Sequence, residues 1–277
     1  MAKSAIVLDE SQPRNFLPIV QDPQHISNMI TRNLGGEPLS MADLDKAINP
    51  SGGKLKWEIP DIDGESESIS SIEGVIIHSH DNRAYYEKEY DGSGERPDCS
   101  SPDGIHGYGV MADACGGICA DCPMDKFGSG KNGSKACSDE KWVYILREGE
   151  MLPVVVSLTP TNKRALRTYG ARLMNKKNRD LTQVVSKLTN SKATSKSGFP
   201  TAKVTITLVE ILPEDEAKKM SDYAELMAPH IEAANTPWQY DEVEDAPVPD
   251  VKKQAKAPRK VAPPPAAVSS DEEDLEF

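Results

Sequence analysis

Residues 141–158 read KWVYILREGEMLPVVVSL, and this stretch decides the fold. Lys141–Arg147 and Leu152–Leu158 are two runs rich in β-branched and aromatic residues, separated by Glu148-Gly149-Glu150, a hairpin signal. Pro160 stops the second run. Thr161–Asn175 then reads as a helix, with Thr161 as N-cap and Leu166, Tyr169 and Leu173 on one face. Leu181–Thr189 and Ala202–Leu212 read as two more strands. In the latter, Val204, Ile206 and Leu208 alternate with Thr205, Thr207 and Val209. Strand, strand, helix, strand, strand is the order of a small antiparallel barrel of oligonucleotide-binding (OB) type. The expected class is mainly β with peripheral helices, an α+β chain.

Working outward, Gly74–Ser79 predicts a buried strand and Leu55–Ile59 an alternating one. Ile26–Leu34 and Ser40–Ile48 predict short helices, the second capped by Ser40 and ended by Asn49-Pro50. Asp61–Ser71 reads as an acidic, Ser-rich loop and Pro213–Ala234 as acidic helix. Residues 1–240 are therefore expected to form the OB-like core. Residues 241–277 carry no aromatic before the end and are expected to be a disordered Pro/Ala/Lys linker, closed by the acidic run DEEDLEF.

The chain has 277 residues, 38% of them hydrophobic, and no run near the roughly 18 apolar residues of a membrane helix. The N-terminus lacks the apolar core of a signal peptide, so a soluble, cytoplasmic protein is expected. The net charge of -12 hides a division. Between Lys163 and Lys203 stand eleven Lys/Arg and one acid, Asp180. A local basic field on an acidic chain attracts a polyanion, although a solvated basic face is the plain alternative. No P-loop, nucleophile elbow, HExxH helix or kinase set is present, so no enzyme activity is expected.

All five cysteines lie between Cys99 and Cys137, in Gly/Ser-rich sequence that has almost no apolar run. Cys119-Ala-Asp-Cys122 is a CxxC knuckle, suited to two adjacent corners of a zinc tetrahedron. Cys99 and Cys137 flank it at similar distances, so the expected ligands are Cys99, Cys119, Cys122 and Cys137. Cys115 is then spare and His106 a substitute. Residues 99–137 would be a zinc-binding insertion, folded by the metal. Two alternatives stay open: the CxxxCxxC spacing Cys115–Cys119–Cys122 of an iron–sulfur enzyme, and unmetallated thiols.

Cys99-Ser-Ser, Gly-Gly-x-Cys119-x-x-Cys122-Pro, Phe127-Gly-Ser and Cys137, followed by LPVVVSLTPT and a basic helix, resemble phage-encoded single-stranded DNA-binding proteins over about residues 74–212. The acidic tail ending in Phe is a second, independent resemblance to single-stranded DNA-binding proteins of bacteria and phages. The resemblance implies a protein that coats and protects single-stranded DNA in replication and recombination, in the host cytoplasm. It implies a tail recruiting replication or recombination partners through Asp271, Glu272, Glu273, Asp274, Leu275 and Phe277. The low aromatic content departs from that pattern. Sequence-independent binding of single strands needs cations for phosphates and rings for bases. The candidates are Lys163, Arg164, Arg167, Arg172, Lys176, Lys177 and Lys203 for the first, and Trp142, Tyr144 and Phe199 for the second. For Trp142 and Tyr144, core packing is the equal alternative. The competing function is a zinc-containing transcription or recombination accessory factor that binds duplex DNA.

Overall fold

The computed structural model describes residues 23–50, 54–63, 65–87, 97–109, 111–112, 116–194 and 200–235. Packing divides the chain into Met1–Gln239 and Tyr240–Phe277, and the second unit lies wholly outside the described residues. The first is a mixed α+β unit, mostly strands, with three helices among the described residues: α1 (Pro23–Asn33), α2 (Pro160–Lys177) and α3 (Glu214–Ala234). Among the described residues no helix is long and apolar enough to cross a membrane.

The strands are β1 (Lys46–Ala47), β2 (Trp57–Pro60), β3 (Ser66–Ile69), β4 (Ser71–Tyr85), β5 (Cys99–Ser101), β6 (Ser138–Leu146), β7 (Val154–Leu158), β8 (Val184–Thr194) and β9 (Pro200–Ile211). Seven of them make one curled, half-barrel sheet in the order β1-β7-β6-β4-β8-β9, with β5 on β4; β2 and β3 form a separate hairpin. The 15-residue β4 organises the sheet. Its first five residues pair with β8, Val75–Ala84 pair with β6, and Arg83–Tyr85 pair with β5. Gly74 sits where β4 passes from one partner to the other. A Cβ there would lie 2.3 Å from the Leu146 carbonyl oxygen, so only glycine fits.

Strand alternation buries both faces of the sheet. Val143 and Ile145 of β6 join Trp57, Ile59, Ile76 and Leu166 of α2 in one core. Tyr144 and Leu146 join Val75 and Ile77 in the other, under Ile26 and Ile30 of α1 and Met220 and Met227 of α3. A bulge between Ile76 and His78 bends β4. His78 and His80 both stand against Tyr144, at 5.6 Å between ring centroids.

Three local expectations are corrected. Ser40–Ile48 is not a helix: the Asp43 carboxylate accepts from the Ser40 N–H at 2.8 Å, the turn stops at Asp43, and Lys46–Ala47 pair in parallel with β7. The exposed β7 edge wins over helix propensity, because Leu44 and Ala47 are thereby buried. Asp61–Ser71 is not all loop, since Ser66–Ile69 is the second strand of the hairpin with Trp57–Pro60. Pro160 is the first residue of α2, where its missing N–H costs nothing, and Thr159 rather than Thr161 is the N-cap.

Candidate nucleic-acid interface and metal centre

Helix α2 is fastened to the sheet from below. Leu166 and Leu173 are buried. The Asn162 amide accepts from the Val204 N–H at 3.0 Å and donates to the Ala202 carbonyl at 3.3 Å. The opposite face is basic. Arg164, Arg167 and Arg172, with Thr168, Ala171 and Asn175, line one open trough of about 440 Å³. Positions three, four and eight apart share a helix face. All three arginines are exposed, and none has an acidic partner among the described residues. Lys176 and Lys177 are exposed in the last turn, at the negative end of the helix dipole. Lys203 is exposed on β9, outside the trough.

Lys163 behaves otherwise and is corrected from a free cation to a paired one. Its ammonium contacts the Asp139 carboxylate and stands 3.1 Å from that of Asp81. Burial works against ionisation at Asp81, but Lys163 and Lys141 overcome it and hold the carboxyl below its usual range.

The rings also divide. Tyr144 is fully buried, so it has no face for a base and belongs to the core. Its hydroxyl accepts from the Asn235 amide at 2.7 Å and bonds His80 Nε2 at 2.9 Å. Burial pushes it up to about 12, against the Asn235 hydrogen bond. Burial and the neighbouring His80 hold His78 below its ordinary value. Trp142 is partly exposed, with the Lys46 ammonium 4.7 Å from its ring centroid. Phe199 lies outside the described residues, as do Cys115 and the tail residues Asp271, Glu272, Glu273, Asp274, Leu275 and Phe277.

The four remaining cysteines converge. β5 starts at Cys99, opposite Tyr85. The knuckle is a turn in which the Cys122 N–H donates to the Cys119 carbonyl at 3.2 Å. The Cys119 N–H donates to Ile105 and that of Cys137 to Met124, at 2.9 and 3.0 Å. Cys99, Cys119, Cys122 and Cys137 all line one cavity of about 20 Å³. That is room for one particle the size of a water. Burial pushes the Cys137 thiol up to about 12, with Cys119 and Cys99 adding to the effect; Cys99 is raised by burial and Cys119. Among the described residues, no three His, Cys, Asp or Glu side chains are drawn together tightly enough to hold an ion as they stand. His106 does not line the cavity; its Nδ1 pairs with Asp103 at 2.7 Å.

An ionic chain fastens this loop to the sheet, and no sequence motif marks it. Asp125 pairs with Lys135 at 2.7 Å and with Arg83 at 2.8 Å, and Arg83 stands 4.0 Å from Asp139, which holds Lys163. No protein-family model, curated protein or solved structure matches the chain.

Proposed function

We propose that the chain binds single-stranded DNA without catalysing a reaction, on an OB-type barrel carrying a zinc-binding loop. The observation that carries this reading is the exposed arginine trough of α2, three cations lining one trough with no acidic partner among the described residues. Phosphates are the natural complement of such a row. The strand order supports the barrel: after β4 and the short β5 come the antiparallel β6 and β7, then a helix, then a hairpin whose first strand, β8, returns to β4.

The four cysteines fit zinc. They are all-sulfur donors around a space for one small particle, in a loop with little core of its own. Cys99, Cys119, Cys122 and Cys137 would hold it, and the metal would serve the fold by tying the loop together. The acidic tail would recruit replication or recombination partners.

The test is competition between an oligothymidylate, a duplex and an RNA of equal length for the full-length protein. Preference for the single strand supports the reading. Equal affinity for duplex would favour a duplex-binding accessory factor.

A further inference from the structure

Among the described residues, the helices over the Tyr144 face leave part of it open. Beside the last residues of α3 lies a groove of about 440 Å³, within the size range of small-ligand clefts. Trp142, Asn82, Lys46, Tyr86, Ser40 and Asn235 are among its lining residues. In the β4–β6 ladder His80 faces Trp142 and Asn82 faces Glu140, so Asn82 and Trp142 are diagonal neighbours on one face.

Asn82 lines the groove from the sheet. The residue is only 8% exposed, but its amide is not among the buried side-chain groups left without a partner, so it opens on the groove. An amide placed so is met by water or by a polar group of whatever the groove holds. Trp142 supplies the second element, a partly exposed ring already approached by the Lys46 ammonium. An amide with one donor group and one acceptor, beside an aromatic plane and a cation, matches a nucleotide whose base is unpaired.

We infer that this groove takes one unstacked nucleobase of a single strand. Its ring lies on Trp142, its hydrogen-bonding edge meets the Asn82 amide, and Lys46 passes from the indole to an adjacent phosphate. The inference rests on the single-strand reading and adds a base subsite away from the α2 trough. Each of the four bases offers a neighbouring donor and acceptor on its pairing edge, free only in single strands, so the groove is indifferent to sequence and rejects paired bases.

The test measures binding of the full-length protein to an oligothymidylate and to an abasic deoxyribose-phosphate oligomer of the same length. Asn82→Leu should bind the oligothymidylate about tenfold more weakly, within the range of one lost base contact, and the abasic oligomer as tightly as before. Loss on both oligomers, or on neither, overturns the base subsite alone. A wild-type protein that binds neither oligomer overturns the single-strand reading and the subsite together. If Asn82→Leu fails to fold, indole fluorescence decides. Quenching by the oligothymidylate but not the abasic oligomer, lost in Trp142→Phe, supports the subsite; quenching unchanged in Trp142→Phe overturns it.

Discussion

Lys163 sits between Asp81 and Asp139, whereas its neighbour Arg164 faces the trough with no acid in reach. Lys163→Ala should therefore act on the fold. Losing a partly buried charged hydrogen bond costs about 1.5–3 kcal/mol, seen as a lower urea midpoint, while the salt dependence of DNA binding stays nearly unchanged. A stable Lys163→Ala protein with weakened binding would return Lys163 to the interface. The sequence shows a run of cations but not which are occupied, because the partners of Lys163 are 82 and 24 positions away. Tyr144 makes a second prediction at this scale. Its folded-state value, about 12, lies above the ordinary 10. A phenol whose ionisation is raised by folding contributes stability in full below pH 10 and loses it as pH rises through about 12. Tyr144→Phe should flatten the alkaline loss of stability without abolishing it, since burial also raises Tyr223. An alkaline limb identical to that of the wild type would contradict this origin.

At the scale of elements, five of the regular segments from residue 138 onward were legible because each carries its own period. β6, β7, α2, β8 and β9 all fall within a few residues of their sequence-derived positions. What escaped was set by pairing partners rather than by local pattern. Lys46–Ala47 become a strand through the sequence-distant β7, and the polar Ser66–Ile69 through β2 across a short turn. The transfer of β4 between partners was also invisible, although Gly74 marks it. Gly74→Ala should cost about 3 kcal/mol, the upper range for overpacking, because the added carbon meets backbone rather than a movable side chain. A near-neutral change in urea unfolding would show that the two strands can part there.

In the cysteine loop the grouping of four residues was legible and their attachment to the sheet was not. The spacing selected the four residues that share the cavity. Nothing in it indicated the Asp125–Arg83–Asp139 chain. Cys119→Ser should release one zinc per chain and raise amide hydrogen exchange across residues 99–137. Elemental analysis and exchange mass spectrometry check both; a metal-free wild-type protein, or one containing iron, would contradict the zinc centre.

On the scale of the whole molecule, a chain of net charge -12 concentrates eleven of its 32 basic residues between Lys163 and Lys203, on and after α2. On the proposed reading, the acidic remainder would repel a polyanion that this stretch attracts. Deleting residues 271–277, which include five acids, should tighten single-strand binding most at low salt, where screening is weakest. Unchanged affinity at low salt would leave the tail a solubiliser only. The core and its basic helix were readable from period and charge. The groove at Asn82 was not, because it is assembled from the turn near Ser40, four strands and the end of α3.

The most direct measurement is the salt dependence of oligothymidylate binding by the wild type and by the Arg164→Ala/Arg167→Ala/Arg172→Ala triple variant. Each phosphate contact on a single strand contributes roughly -0.7 to the log–log slope, so losing three should make it shallower by about 2. The triple variant should stay folded, since exposed substitutions usually change stability by less than about 0.5 kcal/mol. A folded triple variant with the wild-type slope and affinity would contradict single-strand binding on α2.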